Sequence, residues 1–399
     1  MNTNPPNSRR LRPRSNPSPF LPDELIPEIL SWLPVKSLML MKSVSHTWNT
    51  IISDLKFIKM HLHRSKRNPY FWYRGEPHAD YNYNFLHFPV SRVLQNNWIT
   101  IPKDPYYHLK DKDCVEIVGS CNGLVCLLGF SYGENLDYKN IWLRVWNPAT
   151  RKISDKLGYN YKSSVIFCKF VFVYDNSTNV YKVLELSPSR DRNPHTKTTV
   201  RVFSLANNVW RTIPNFPVVP LEVCKRKGSD GVQLNCTVNW LANKSEWWNN
   251  ISGEFVILSF DIGREKYTQF LPPQGYDNGG AVPSICVLKD SLCLYHDFKK
   301  TDLVIWKMTE FGNGNSWTQL HKVSYHNIHT NYEYAGSRLL ILKPLHLSEN
   351  GETMVLADIV QDRAILYNLR TNKAKKTTFN KKIRWFPMKD YVESLVSTS

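Results

Sequence analysis

The chain has 399 residues and is 42% hydrophobic and 13% aromatic, which is enough apolar material for one large domain and a small one. This composition excludes a disordered protein, because disordered chains are poor in large apolar residues. The net charge is +17, but the basic residues are dispersed in small clusters. Solvated surface therefore explains them better than a nucleic-acid site does.

The sequence indicates an intracellular protein, located in the nucleus, the cytoplasm or both. It has no signal-peptide pattern and no apolar run of about eighteen residues that would cross a membrane. The eight cysteines lack zinc-finger spacing and fall in apolar segments, which favours buried, reduced thiols. Residues 1–19 hold Pro, Asn, Ser and Arg without an acidic residue, and this composition predicts a disordered basic tail.

Apolar residues recur at helical spacing near the start of the chain. The first group comprises Leu25, Ile26, Ile29, Leu30 and Leu33, the second Val44, Trp48, Ile51 and Ile52, and the third Phe57, Ile58, Met60 and Leu62. The spacing predicts three short helices. About forty residues cannot bury so many large side chains alone, so a partner is expected. Periodicity by itself leaves a second interpretation open, a helical cap on the following domain.

After Leu62 the helical period gives way to short apolar runs separated by turns. An aromatic residue at a strand end recurs five times, at Trp146, Phe203, Phe260, Trp306 and Tyr367. Each is preceded by a hairpin pattern, of which Asn122-Gly123 is the clearest because both residues tolerate the positive φ of a tight turn.

These units of roughly 50 residues match a four-stranded blade of a kelch-like β-propeller. The fold class predicted is α+β and mainly β, with five clear repeats. A sixth blade would combine strands within residues 69–110 with the segment from Trp385 to Val396. A pair of β-sandwiches is the alternative.

Two sets of motifs together carry a family resemblance. The helical set comprises Leu21-Pro22, Glu24-Leu25, Glu28-Ile29-Leu30, the run from Leu33 to Leu38, Val44-Ser45, Trp48 and Ile52. The strand set comprises the run from Gly119 to Leu124 and the run from Trp146 to Thr150. The combination resembles the plant family of F-box/kelch and F-box-associated proteins. The resemblance implies an F-box at 20–63, a connector with possible first blade strands at 64–110 and a propeller at 111–399.

The resemblance also implies a function and a set of site residues. It implies the substrate receptor of a Skp–cullin–F-box ubiquitin ligase, whose F-box binds a Skp-type adaptor and whose propeller binds a target protein. The implied adaptor-binding residues are Leu21, Pro22, Ile26, Ile29, Leu30, Leu33, Pro34, Val35 and Leu38. The implied F-box core is Leu25, Val44, Trp48, Ile51 and Ile52. Leu40, Met41, Ser43 and His46 depart from the family pattern, which usually has a basic residue, an aromatic residue, Cys and Lys at these positions. The departures put adaptor affinity or choice in question.

No motif for catalysis or for a cofactor is found. The sequence has no P-loop, nucleophile elbow or zincin helix. His61 and His63 are two residues apart and would diverge on a helix, so they cannot share a metal. We therefore predict a non-catalytic protein without cofactor or metal. An F-box protein acting outside ubiquitin ligases and a basic nucleic-acid-binding propeller stay open, and the target and its binding site are unknown.

Overall fold

The fold is described from a computed structural model. The residues that it describes are 22–66, 70–74, 85–95, 98–99, 114–134, 137–163, 168–188, 198–213, 219–220, 231–243, 255–276, 282–329, 341–358, 360, 363–379 and 391–398. The expected basic tail, Leu21 and Trp385 lie outside these residues. Within the described residues, no helix is long and apolar enough to cross a membrane.

The N-terminal module consists of four short helices, so the expectation of three helices is wrong. They are α1 (Leu25–Leu30), α2 (Val35–Met41), α3 (His46–Ser53) and α4 (Leu55–Ser65). The Ser45 hydroxyl accepts a hydrogen bond from the Trp48 amide at 3.1 Å and caps α3. The Asp54 carboxylate accepts from the amides of Lys56 and Phe57 and caps α4. The extended backbone of Asp54 interrupts the helical conformation. The apolar residues that predict the last helix therefore lie on a separate helix, α4, immediately after α3.

The core of this helical module includes residues from the distant β-domain. Its buried members are Leu30, Val35, Leu38, Ile52, Phe57, Ala149 and Leu395. Ala149 lies in a strand connection of the first blade, and Leu395 lies near the last described residue. The chain therefore covers part of the module itself, in addition to any separate partner.

Strands begin after the module with two small elements. β1 (Tyr70–Arg74) and β2 (Phe85–Pro89) form an antiparallel pair, followed by α5 (Val90–Gln95) and β3 (Trp98–Ile99). The first large sheet contains β4 (Cys114–Cys121), β5 (Leu124–Tyr132), β6 (Tyr138–Asn147), β7 (Lys152–Ile153) and β8 (Leu157–Ser163). β7 and β8 both pair with β6, β7 with its last residues and β8 with its first ones. We call this sheet blade 1.

Four further antiparallel sheets follow in chain order. Blade 2 contains β9 (Lys169–Asp175), β10 (Val180–Pro188), β11 (Thr198–Ser204) and β12 (Val209–Ile213). Blade 3 contains β13 (Val219–Pro220), β14 (Val232–Leu234), β15 (Thr237–Asn243), β16 (Phe255–Asp261) and β17 (Lys266–Phe270). Blade 4 contains β18 (Ser284–Leu288), β19 (Ser291–Phe298), β20 (Asp302–Met308) and β21 (Trp317–Ser324), after which α6 (Tyr325–His329) follows. Blade 5 contains β22 (Leu342–Leu347), β23 (Thr353–Asp358), β24 (Arg363–Asn368) and β25 (Lys373–Lys376).

The repeat read from the sequence is confirmed in these sheets. The five aromatic anchors lie on equivalent strands, β6, β11, β16, β20 and β24. The expected tight hairpins are also present, since Asn122 and Gly123 both have positive φ between β4 and β5. Lys289 and Asp290 show the same conformation between β18 and β19.

Consecutive blades pack on each other through alternate residues of their strands. Phe172 and Val183 of blade 2 pack against blade 1, whereas their neighbours Val173 and Leu184 pack against blade 3. Further clusters join blade 3 to blade 4 and blade 4 to blade 5. Blades 2, 3 and 4 thus have a neighbouring sheet on both faces, as blades of a propeller do.

Among the described residues, the part of the chain expected to form a sixth blade contains short strand pairs. β26 (Thr378–Phe379) pairs in parallel with β3, which brings residues near the two ends of the domain together. The α+β, mainly β fold class is confirmed, and the number of blades beyond five stays a prediction.

Candidate docking surface and its support

An exposed apolar stripe runs along α1 and continues just beyond it. Leu25, Ile29 and Trp32 are 46%, 49% and 61% exposed. Their i, i+4, i+7 spacing places them on one side of the helix. Large apolar side chains grouped in this way on a soluble surface mark an interaction site. We call these three residues the α1 stripe.

Trp32 is held in place by α4. The Arg64 guanidinium lies 4.5 Å from the centre of the Trp32 ring, a cation–π contact. The same guanidinium pairs with the Glu28 carboxylate and donates to the Glu28 carbonyl oxygen at 2.8 Å. The indole is therefore exposed but ordered by its neighbours, as expected of a preorganised contact residue.

The structure divides the predicted adaptor-binding residues into two groups. Pro22, Ile29 and Pro34 are exposed, and Ile26 and Leu33 are partly exposed. Leu30, Val35 and Leu38 are buried inside the module, where they contact the rest of this chain. The rest of this chain already covers these three side chains. They therefore support the docking surface from inside the module and do not contact an adaptor directly.

The predicted F-box core is divided in the same way. Ile52 is buried, and Trp48 and Ile51 pack against the buried cluster. Leu25 and Val44 lie at the surface instead, Val44 at 69% exposure. Leu25 belongs to the α1 stripe because the helix turns its opposite side, with Leu30, toward the interior.

The four departures from the family pattern lie at or near the surface between α2 and α3. Leu40 is exposed, and Met41 is partly buried against the module core. The Ser43 hydroxyl donates to the Leu40 carbonyl oxygen at 2.6 Å, and His46 is exposed at the start of α3. Leu40 therefore adds apolar surface where the family pattern has a basic residue.

Residues 391–396 connect the helical module to blade 1, and we call them the strap. The Val35 amide, at the start of α2, donates to the Glu393 carboxylate at 3.1 Å. Glu393 is only 7% exposed, so this charged hydrogen bond lies within the interface. A carboxylate at a helix N-terminus also interacts favourably with the helix dipole. Leu395 then enters the module core beside Ala149.

The other side of the strap is bound by Asn147 at the end of β6. Its amide nitrogen donates to the carbonyl oxygens of Ser394 and Val396, at 3.0 and 2.7 Å. Its amide oxygen accepts from the backbone of Ala149 and Thr150. One buried side chain thus closes its own turn and holds the strap.

Tyr391 fixes the beginning of the strap. It is fully buried and packs with residues of β4, β5 and β6, namely Cys114, Val125, Leu127 and Trp146. From its sequence this segment is expected to help close the ring of blades, and its contact with α2 is not expected. Glu393 and Val35 are 358 positions apart, and no local pattern reports such a pairing. The Trp146-Asn147-Pro148 motif is a sequence signal for this contact, because a buried Asn side chain requires several hydrogen-bond partners.

The histidines and cysteines noted in the sequence have different surroundings in the structure. His61 is buried with Nε2 3.0 Å from the Leu33 carbonyl oxygen, and His63 is exposed. Burial raises the pKa of Cys121 to about 11 and that of Cys168 to about 12, so both remain thiols at neutral pH. No group of His, Cys, Asp and Glu that could hold a metal ion occurs among the residues that the structure describes.

Comparison with known families matches both parts of the chain. The family described as "F-box domain" matches residues 19–60, and the family described as "F-box associated beta propeller domain" matches residues 80–398.

Similar proteins from Arabidopsis thaliana cover most of the chain. F-box/kelch-repeat protein At3g23880 is 28% identical over 75% of this chain and 78% of its own length. F-box protein CPR1 is 22% identical over 88% of this chain and 83% of its own length. Among solved structures, a chain from the complex of KlAtg21 with the coiled-coil of AgAtg16 aligns at 11% identity and a TM-score of 0.40. It covers 77% of this chain and 85% of that chain, a similarity too low to support an argument.

Proposed function

Because this chain belongs to the F-box proteins that carry an F-box associated beta propeller domain, we propose that it is the substrate receptor of a Skp–cullin–F-box ubiquitin ligase. The F-box binds a Skp-type adaptor, and the propeller binds a target protein. The chain itself contributes no catalytic group. A subunit of such a ligase acts inside the cell, in the nucleus or the cytoplasm.

The observation that carries this proposal is the α1 stripe on a module fixed to the propeller. Apolar helix faces dock into hydrophobic grooves, and a few large residues supply most of the binding energy. Ile29 belongs both to the stripe and to the adaptor-binding residues implied by the family resemblance. We therefore assign adaptor docking to the accessible residues Pro22, Ile26, Ile29, Leu33 and Pro34, with Leu25 and Trp32 beside them.

The contribution to the reaction is proximity. A receptor that holds a target near a charged ubiquitin enzyme raises the effective concentration of target lysines at the thioester. That gain depends on geometry, because a loose joint spreads the target over a larger volume. The strap supports such a geometry through its hydrogen bonds to Val35 and Asn147.

Adaptor docking is tested by placing a charge in the α1 stripe. We expect Ile29→Asp to weaken binding to a purified Skp-type adaptor by about a hundredfold or more, since a buried apolar anchor contributes about 2–4 kcal/mol. Isothermal titration calorimetry measures the affinity. The matched control is Leu55→Asp, which places the same charge at an exposed leucine of α4 outside the predicted adaptor-binding residues.

The same experiment separates the proposal from its alternatives. Equal adaptor affinity for Ile29→Asp and the unchanged protein, with both folded, would contradict the docking assignment. Co-purification of adaptor without cullin would favour a role outside ubiquitin ligases. Tight binding to DNA or RNA with a steep salt dependence would favour the nucleic-acid alternative.

A further inference from the structure

Two cysteines lie directly opposite each other in blade 4. Cys286 of β18 is the Cα partner of Cys293 in β19, so both side chains point to the same face of the sheet. Both are buried, Cys286 at 7% and Cys293 at 0% exposure. They belong to the cluster that packs blade 4 against Met354 and Leu356 of blade 5. We call these two residues the thiol pair.

The thiol pair is close enough to form a disulfide. Both cysteines are thiols in the structure. Directly opposite residues of antiparallel strands have Cα atoms about 4.5–5.5 Å apart, and disulfides join Cα atoms about 4.4–6.8 Å apart. The two side chains also contact each other, because Cys286 and Cys293 share a hydrogen bond. The tight turn at Lys289-Asp290 directly connects the two strands and fixes their register.

A lysine continues the same row across blade 4. Lys307 of β20 is the Cα partner of Cys293 on the side away from Cys286, so its side chain shares the face of the thiol pair. The hydrogen bond with Cys286 lowers the pKa of Cys293, and the Leu288 amide and the Lys307 ammonium lower it further, against the opposing effect of burial. The thiolate is the reactive form of cysteine and is favoured beside a cation. Cys293 therefore has the surroundings of a reactive thiol.

The other cysteines of the described strands lack this combination. Cys121 lies opposite Leu124, and Cys126 lies opposite Gly119. In the strand pairing that the structure describes, no second pair of cysteines consists of Cα partners. Burial raises the pKa of Cys168 to about 12, which keeps its thiol protonated and unreactive. The thiol pair is thus chemically distinct from the cysteines elsewhere in these blades.

We propose that the thiol pair is a modification site at which a hydroperoxide joins Cys286 to Cys293 as a disulfide. The pair lies close to the surface, because Lys307 and Ser291 beside it are partly exposed. The Ser291 carbonyl oxygen accepts a hydrogen bond from the Cys293 thiol at 3.6 Å. The narrow approach favours hydrogen peroxide over a bulky disulfide such as oxidised glutathione. This inference does not depend on the proposed function.

The reaction passes two electrons from the two sulfur atoms to the peroxide. The Cys293 thiolate attacks one peroxide oxygen, the O–O bond breaks, and the hydroxide that leaves takes up the proton lost by Cys293 to form water. Cys293 is then a sulfenic acid. The Cys286 sulfur attacks the Cys293 sulfur, the S–O bond breaks, and a second water leaves with the Cys286 proton. Two thiols and one hydrogen peroxide thus give one disulfide and two waters.

Closing this bond draws the two strands together. The Cβ atoms of directly opposite residues are about 4.5–5.5 Å apart, whereas a disulfide holds them about 3.5–4.5 Å apart. A disulfide closed under such strain is more easily reduced than an unstrained one. The modification is therefore reversible by small thiols, and it alters the packing of blade 4 against Met354 and Leu356.

The test exposes the reduced full chain to hydrogen peroxide, blocks the remaining thiols by alkylation and digests the protein with trypsin without reductant. Because Lys289 separates the two cysteines, Cys286 lies in the tryptic peptide 267–289 and Cys293 in the peptide 290–299. We expect mass spectrometry to find these two peptides joined, and dithiothreitol to separate them. Cys168 is the internal control and should still be alkylated.

Two variants test the assigned roles. Lys307→Gln should slow the joining of the peptides several-fold, because it removes the ammonium that favours the Cys293 thiolate. The matched control is Lys300→Gln, at an exposed lysine of the same blade, and it should leave the rate unchanged. Cys286→Ser should stop the reaction at the Cys293 sulfenic acid, which dimedone labels.

The first measurement uses the unchanged protein, so it decides the proposal even if a variant fails to fold. No joined peptides at a peroxide concentration that already oxidises Cys168 would overturn it. Joining only between two chains, or only with oxidised glutathione, would also overturn it. Equal rates in Lys307→Gln, with the variant folded, would contradict the role of the lysine.

Discussion

Three buried polar side chains, those of Asn147, Glu393 and His61, each have a specific structural role. Asn147 uses both its amide nitrogen and its amide oxygen, and so leaves neither group unsatisfied inside the molecule. The buried Glu393 side chain accepts a hydrogen bond from the Val35 amide at the start of α2. His61 connects α4 to the Leu33 carbonyl oxygen, and the Ser65 hydroxyl lies 3.4 Å from its Nδ1. Loss of any of these partners would leave a buried polar group without a hydrogen-bond partner.

His61 predicts a pH dependence of stability. Burial lowers the pKa of His61 below its usual range, and the hydrogen bond to the Leu33 carbonyl oxygen and the nearby Glu393 only partly oppose this shift. An unfolded histidine has a pKa of about 6.5, so the unfolded chain takes up the proton first as the pH falls. The stabilisation is therefore complete above about pH 6.5 and declines below it.

Thermal melting at about pH 7.5 and about pH 5.5 checks this prediction. We expect the unchanged protein to lose more stability on acidification than His61→Gln does. His63→Gln, at an exposed position on the same helix, should behave like the unchanged protein. An identical loss in His61→Gln and in the unchanged protein would show that this histidine does not determine the response.

At the scale of elements, the tight turn between β4 and β5 determines how closely the strap approaches blade 1. The β4–β5 turn places Gly123 directly beneath the strap. A Cβ atom built on Gly123 would overlap the Ser394 side chain and lie 2.7 Å from the Val392 carbonyl oxygen. Gly123 also has φ +80, which disfavours any other residue. The turn thus needs glycine both for its own conformation and for the close approach of the strap.

Gly123→Ala is therefore expected to destabilise the protein by more than the conformational strain alone. Strain at a positive φ costs about 1–3 kcal/mol, and displacement of the strap adds to it. Gly275→Ala is the matched control, because Gly275 has φ +78 and nothing within 4 Å of the added atom. Denaturant unfolding gives the two losses in stability, and hydrogen exchange at Val35 reports whether α2 loses its cap. Equal losses, with unchanged exchange at Val35, would contradict the role assigned to Gly123.

The elements also show how far the sequence alone leads. Asn122-Gly123 and the anchors Trp146 and Phe260 predict local structure correctly, because turn conformation and strand burial depend on neighbouring residues. The buried positions of Leu30 and Val35 could not be predicted in this way. Helical periodicity identifies an apolar side, but it does not say whether a partner protein or a distant part of the same chain covers it. Leu395 and Ala149 supply that cover, and only the tertiary structure shows it.

At the scale of the whole molecule, the strap joins the two functional parts into one unit. The docking module contacts the strap through Val35, and blade 1 contacts it through Asn147. The α1 stripe is thereby held in a defined position relative to blade 1. A receptor with this construction presents its target in a restricted range of positions.

Removing the strap contacts is expected to loosen the joint without abolishing adaptor binding. Glu393→Ala with Leu395→Asp deletes the helix cap and places a charge in the module core, which costs several kcal/mol locally. Fluorescent labels at exposed Lys56 and exposed Lys373, introduced as unnatural amino acids, report the separation of module and propeller. We expect a broader distance distribution in this variant than in the unchanged protein.

The control for this experiment is Glu349→Ala with Val360→Asp, which likewise removes a glutamate side chain and replaces an apolar residue with Asp, but at exposed positions. It should leave the distance distribution narrow. An equally narrow distribution in the strap variant would mean that other contacts, such as that of Ala149 with the module core, fix the orientation. Adaptor affinity measured in parallel shows whether α2 still presents its surface.

The position of the strap in the sequence also has a consequence for biosynthesis. Val35 and Glu393 are separated by 358 residues, so at about 5–20 residues per second the cap leaves the ribosome roughly 20–70 s after the helix that it caps. During that interval a nascent chain carries the docking helices without their support. A chain interrupted before residue 391 never acquires it. The docking module is therefore completed only after the propeller has been synthesised. This order disfavours adaptor binding by incomplete chains, which could bind no target.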